Sequence, residues 1–221
     1  MSTLFVTGTD TGCGKTVATV AMAQALAGPG RTVACFKPIA SGCRRQEGRW
    51  VNDDALALQA AAGVRLPYET VNRYALEPPI APHIAAARAG LRFDLDAVAA
   101  DVAGVDADVH LVEGVGGWMV PLDAERSLSA LPERLGADVV LVVGLRLGCL
   151  NHALLTARCI AADGLRLVGW VANRVDPAFE ADEENLETLA ARLPCPLLGT
   201  LPHAAEPRFS DTLRVPNLVP D

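Results

Sequence analysis

Near the start of the chain stands Gly8-Thr9-Asp10-Thr11-Gly12-Cys13-Gly14-Lys15-Thr16, a run of glycines that closes on a cation and a hydroxyl. It follows the apolar run Leu4–Val6 and opens a stretch of helical composition, which is the context a phosphate-binding P-loop requires. Glycines let the backbone turn so that successive N–H groups point inward, and a helix N-terminus adds partial positive charge. Lys15 has the reach to meet β- and γ-phosphates, and the Thr16 hydroxyl suits Mg²⁺. Five residues, rather than the usual four, separate Gly8 from Gly14-Lys15-Thr16, but the tight end of the loop is kept.

Three more charged positions have the setting for chemistry. Lys37 ends a second apolar run and is fixed by Pro38, which suits a cation meeting charge in a cleft, although a solvated loop lysine fits the same pattern. Asn52-Asp53-Asp54 opens a helical stretch, where an aspartate also has the simpler use of an N-cap. Val109-His110-Leu111-Val112-Glu113-Gly114-Val115-Gly116-Gly117 reads as a buried strand that ends in an acid and a glycine turn. A carboxylate there faces a metal where backbone must pass close to phosphate. His110, inside the strand, reads as a packed histidine.

The elements that must position these residues alternate along the chain. Apolar runs at 4–7, 32–36, 109–112, 139–143, 167–172 and 197–200 read as strands. Ala- and Leu-rich stretches at 16–27, 54–62, 150–162 and 180–192 read as helices between them. Short runs buried on both faces and separated by helices predict a doubly wound, mostly parallel sheet in a single α/β domain spanning 1–221. Residues 67–82, rich in proline, read as a long connection within that domain. Ligands of such sheets lie beyond the carboxyl ends of the strands, where the charged positions cluster.

Composition narrows the partners. The chain has 221 residues, 51% hydrophobic and 20% charged, with a net charge of −7. That balance supplies a core and disfavours nucleic acid or an anionic membrane as partner. No apolar run reaches the length of a membrane span, and residues 1–6 lack the pattern of a signal peptide, so a cytoplasmic protein is expected. Cysteines at 13, 35, 43, 149, 159 and 195 form no CxxC pair and read as reduced, mostly core thiols. Arg44, Arg45 and Arg49 read as a solvated mobile loop, Glu180, Asp182, Glu183, Glu184 and Glu187 as the wet side of a helix, and Trp118 and Trp170 as packing residues.

Taken together, the motifs resemble the dethiobiotin synthetase family along most of the chain. The resemblance rests on Val6–Thr11 with Gly14-Lys15-Thr16, Lys37-Pro38 with Ala40-Ser41-Gly42, and 54–59. It continues through Pro82-His83, Val112-Glu113-Gly114 with Gly116-Gly117-Trp118, 147–153, Gly169–Asn173 and Pro196–Gly199. Gly12-Cys13 stands where that family often has Glu-Val, and beyond Pro202 the likeness fades. The resemblance implies a P-loop NTPase fold and an ATP- and Mg²⁺-dependent ligase that converts 7,8-diaminononanoate and CO₂ to dethiobiotin.

It also implies roles. Lys15, Lys37 and Thr11 are the catalytic set, and Thr16, Asp54 and Glu113 surround Mg²⁺. ATP falls to Gly12, Cys13, Gly14, Lys15, Thr16, Val17, Asp54, Glu113, Gly114, Val115 and Gly116, with Asn173 and Arg174 and with Pro202-His203-Ala204 lining the base. Substrate falls to Thr11 and Ser41, and to Gly148, Cys149, Leu150 and Asn151 of a neighbouring subunit in a homodimer. Asn151 is the expected N-cap there. Two other readings stay open: a nucleotide switch of the partitioning kind, and another ligase such as an amidating cobyrinate-type synthase. The switch usually carries a second lysine where this chain has Asp10, and 214–221 does not look like a membrane anchor.

Overall fold

The computed structural model describes residues 1–28, 30–203, 213–215 and 218. The chain opens with β1 (Ser2–Gly8), α1 (Lys15–Leu26) and β2 (Val33–Phe36). Small elements follow: β3 (Ile39–Ser41), β4 (Arg44–Gln46), β5 (Arg49–Val51), α2 (Asp53–Ala61), α3 (Tyr68–Val71) and β6 (Tyr74–Leu76). Next come α4 (Pro82–Arg88), α5 (Leu95–Ala103), β7 (Val109–Glu113), α6 (Ala130–Arg134) and β8 (Asp138–Gly144). The last are α7 (Cys149–Ala162), β9 (Leu167–Asn173), α8 (Asp182–Arg192) and β10 (Leu197–Leu201).

Among the described residues, six strands form one sheet in the order β10-β9-β8-β1-β7-β2, and every pairing is parallel. Alternate residues of each strand point to opposite faces. Leu4 and Val6 of β1 therefore join the core under α1, whose Ala18, Ala21, Met22 and Leu26 pack with Val140, Val142 and Val171. Phe5 points the other way, into a core with Phe36, Val98, Trp118, Leu128 and Leu131. Trp170 and Leu141 meet α7 and α8 on a third cluster. Burying both faces of the strands is what their unbroken apolar runs required.

The strands and helices expected from sequence all form, and the central sheet is parallel as predicted. The shorter elements were not anticipated. Residues 67–82 are more than a connection: α3 lies within them, and β6 pairs in parallel with β3. Arg44, Arg45 and Arg49 do not form an irregular loop but sit on the antiparallel hairpin β4–β5. Arg44 pairs with Asp53, and the Arg45 guanidinium covers the Trp50 ring at 4.8 Å. Alternating cation and aromatic stems give this hairpin contacts that charge alone did not suggest. His110, Trp118 and Trp170 are buried as read. Cys13, Cys35, Cys43 and Cys149 are buried free thiols, and burial pushes Cys35 up to about 12.

Strand order explains why residues far apart in sequence meet. β7 lies between β1 and β2, so the P-loop, Glu113 and Lys37 leave three adjacent strand ends. Registers carry this through: Val6 pairs with Glu113, and Phe36 with Val112. On the other flank of β1, Gly144 of β8 pairs with Asn173 of β9.

Candidate functional site

The loop between β1 and α1 turns on two glycines with left-handed backbone, Gly12 at φ 80° and Gly14 at φ 86°. Gly14 is the N-cap of α1 and offers no side-chain cap, so the first amides of the helix stay free for a ligand. By contrast α2 and α5 are closed by side chains, with Asn52 accepting from Ala55 and Asp94 from Ala97. The cap of α2 is thus Asn52 rather than Asp53 or Asp54. This frees Asp54 to turn toward the cleft.

Lys15 is 7% exposed, and its Nζ donates to Gly116 O at 2.6 Å and to Asp10 O at 2.9 Å. The ammonium is held between the P-loop and the turn after β7. Thr16 Oγ1 donates to Glu113 Oε1 at 2.9 Å, and Lys37 Nζ donates to that same oxygen at 2.5 Å. Asp54 Oδ2 lies 3.5 Å from Lys37 Nζ. Lys37 is itself anchored by its backbone: its N–H donates to Val71 O, and its carbonyl accepts from Asn72 Nδ2. Burial by itself pulls the Lys37 pKa down. The charges of Glu113 and then Asp54 outweigh that pull and hold it above its ordinary value.

These groups line a cleft of about 730 Å³ with Thr11, Gly12, Gly14, Val17, Ser41, Asn52, Asp54, Val115 and Gly116 on its walls. Among the described residues, two polar atoms at this site are buried with no hydrogen-bond partner, Glu113 Oε2 and Ser41 Oγ. Buried polar atoms are nearly always paired, so an orphaned carboxylate oxygen beside a hydroxyl and a second carboxylate fits a hard cation. Mg²⁺ needs few protein ligands and keeps several waters, so Thr16, Asp54 and Glu113 match it better than a closed metal cage would. Ser41 Oγ has the matching capacity to bond a polar substrate.

Not every expected residue reaches this cleft. Cys13 is fully buried beneath the loop, and Gly114 lies under it against Phe5, though its carbonyl is 3.4 Å from Lys37 Nζ. Asn173 sits beside the P-loop and donates to Cys13 O at 3.1 Å. The Arg174 guanidinium turns to α8 and pairs with Asp182 and Glu183, so these two acids are not merely solvated. His203 Nδ1 lies 3.2 Å from Arg174 O, Pro202 is exposed beside it, and Ala204 lies outside the described residues.

Gly148, Cys149, Leu150 and Asn151 stand at the start of α7, outside the cleft lining of this chain. The N-cap is Gly148, at φ 96° and without a side-chain cap, so Asn151 belongs to the first turn instead. A left-handed cap residue is the natural place for glycine, which the sequence reading passed over. The loop before α7 is tied to the P-loop by an ion pair between Arg146 and Asp10. Arg146 drew no notice from its sequence, and neither the pairing of Asp10 nor the cap and cleft contacts of Asn52 could be read there. Their roles depend on neighbours 11 to 136 positions away, as with Asn52 Nδ2 donating to Ser41 O and Arg146 meeting Asp10.

A family model described as an AAA domain matches residues 2–207. The chain is 51% identical over 210 residues to the ATP-dependent dethiobiotin synthetase BioD of Pseudomonas paraeruginosa, covering 93% of this chain and 92% of that one. It is 50% identical over 200 residues to the protein of the same name from Xanthomonas oryzae pv. oryzae, covering 90% and 89%. Among solved structures, the septum site-determining protein MinD of Pyrococcus horikoshii, complexed with Mg-ADP, superposes with a TM-score of 0.58 at 18% identity over 92% of this chain and 82% of that one. The signal recognition particle receptor FtsY of Elizabethkingia anophelis, in complex with GDP, gives 0.58 at 15% identity, covering 95% and 59%. At such identities these structures speak to the fold alone, which is that of P-loop NTPases.

Proposed function

This chain belongs to the family of ATP-dependent dethiobiotin synthetases, and we propose that it forms the ureido ring of dethiobiotin from 7,8-diaminononanoate, CO₂ and ATP. The observation that carries this reading is the convergence of Lys15, Lys37, Thr16 and Glu113 on one cleft, where Lys37 and Thr16 bond one oxygen of the carboxylate and the other has no partner among the described residues.

In the reaction, one amine of the diamine adds to the carbon of CO₂ and loses a proton, giving a carbamate. A carbamate oxygen takes the γ-phosphoryl group and ADP leaves. The second amine then attacks the carbamoyl carbon and expels phosphate, closing the ring. Positioning and charge neutralisation dominate such transfers. Lys15 stabilises negative charge on the β- and γ-phosphates, and Lys37, across the cleft, does so on the carbamate oxygen and the moving phosphoryl group. Thr11 and Ser41 orient the carbamate. Thr16, Asp54 and Glu113 would hold Mg²⁺, which supplies further neutralisation of phosphate charge when bound.

Asn173 and Arg174, with Pro202, His203 and Ala204, are assigned to the adenine side. We further assign the whole chain to one catalytic domain, acting in the cytoplasm as a homodimer, with Gly148–Asn151 of each subunit receiving the substrate carboxylate of the other. Among the described residues no helix is long and apolar enough to cross a membrane. The decisive experiment supplies diaminononanoate, bicarbonate, Mg²⁺ and ATP and looks for dethiobiotin by mass. ATP hydrolysis that proceeds equally well without the diamine, with no dethiobiotin formed, would refute the assignment.

A further inference from the structure

Asn173 is the last residue of β9, and its side chain does not project into the cleft. It is 7% exposed and lies under the P-loop, where Nδ2 donates to the Cys13 carbonyl at 3.1 Å. Its amide also occupies the space next to Gly14: a Cβ added at Gly14 would run into the Asn173 carboxamide. The backbone on either side is pinned. Leu145 N donates to Asn173 O at 2.7 Å, and Arg174 N donates to Leu201 O at 3.0 Å. The side chain thus projects from a fixed strand end.

The consequences fall on phosphate binding. Cys13 and Gly14 are the residues whose peptide groups turn the loop onto α1, and Gly14 adopts φ 86° to do so. A peptide group has a donor and an acceptor at opposite ends. Fixing the carbonyl of Cys13 beneath the loop therefore directs the N–H of Gly14, in the same peptide plane, away from Asn173 and toward the ligand side. An amide is suited to this, because its NH₂ bonds a carbonyl where a carboxylate would repel it.

We propose that Asn173 is a positioning residue for the triphosphate, acting through the Cys13 carbonyl, in addition to any contact with the base. The proposal rests on the reading that this loop holds the phosphates of ATP. It predicts that loss of Asn173 weakens a ligand with no base at all.

The test measures Mg²⁺-dependent binding of ATP and of inorganic tripolyphosphate to the full chain by calorimetry, for wild type, Asn173→Ala and Asn173→Asp. The expected result is a loss of about fivefold to tenfold for both ligands in Asn173→Ala, the scale of one buried hydrogen bond. Asn173→Asp, nearly the same shape, loses more than Asn173→Ala for both, because its carboxylate faces the Cys13 carbonyl. Melting temperatures identify the folded variants, and kcat at saturating ATP falls as well, since the loop is misdirected even when filled. Tripolyphosphate affinity unchanged in both variants, with ATP affinity reduced, would leave Asn173 as a base contact only and overturn the proposal. A wild-type chain that binds ATP but not tripolyphosphate also overturns it. One that binds neither overturns the nucleotide reading first and this inference with it.

Discussion

Lys37 Nζ and Thr16 Oγ1 share a single acceptor, Glu113 Oε1, at 2.5 Å and 2.9 Å, while the other oxygen of that carboxylate is buried without a partner among the described residues. One carboxylate thus joins the start of α1 to the end of β2 and keeps a face open for chemistry. Two strand ends and one helix start are locked together through one side chain.

Lys37→Ala removes the cation that neutralises Glu113 and Asp54. Truncating one member of a buried ion pair costs about 3–5 kcal/mol, and a loss of that size is expected in denaturant melts. Turnover should fall more than nucleotide affinity, which calorimetry with a non-hydrolysable ATP analogue will report. A variant that lost the analogue's affinity and kept turnover at high ATP would contradict the role. Because the folded pKa of Lys37 is raised, its stabilisation is complete below the unfolded value of about 10.4 and is lost as pH rises through the folded value. An alkaline melt series should therefore show a step that Lys37→Ala lacks.

Lys15→Ala removes the cation held between Asp10 O and Gly116 O. Turnover is expected to fall by about 10²–10³-fold, as for other groups aimed at developing charge. Circular dichroism should show the fold intact. Near-normal turnover at saturating ATP would take the P-loop out of the mechanism.

His110 makes stability depend on pH in the opposite direction to Lys37. Its ring packs edge-on to Phe36 with centroids 5.7 Å apart, and burial lowers its pKa below the ordinary 6.5. Below that value the unfolded chain takes a proton that the folded chain refuses, so stability falls with falling pH. The slope approaches about 1.4 kcal/mol per pH unit between the two pKa values. In His110→Leu this contribution should vanish, and urea melts between about pH 5 and pH 7.5 will show it.

The shared site can be tested by complementation. Since Gly148 caps α7 at φ 96°, Gly148→Pro, which demands φ near −65°, is a sharper disruption than a proline at Asn151. Homodimers of Lys15→Ala or of Gly148→Pro should each be nearly inactive. Mixed at equal amounts with random pairing, half the dimers carry one intact site, so activity should return to about a quarter of wild type. Confirmed mixed dimers with no recovery would rule out a site built from two subunits.

Much of this protein was legible in its residues. The alternation of apolar runs and Ala-rich stretches determined the strands, the main helices and the parallel sheet, because both signals are local: burial on two faces, and helix propensity. The P-loop, Lys37, Asp54 and Glu113 were visible too, since each stands at the end of a strand or the start of a helix, where the ligands of such sheets bind. Tertiary structure decided what those residues do to one another. Only strand order, with β7 inserted between β1 and β2, puts Glu113 within reach of both Thr16 and Lys37. The ion pair of Arg146 with Asp10 and the bond from Asn173 to the Cys13 carbonyl depend on groups meeting across the fold. Local pattern carries no record of such meetings, because a hydrogen bond between residues 160 positions apart leaves each of them looking like an ordinary polar residue in its own segment.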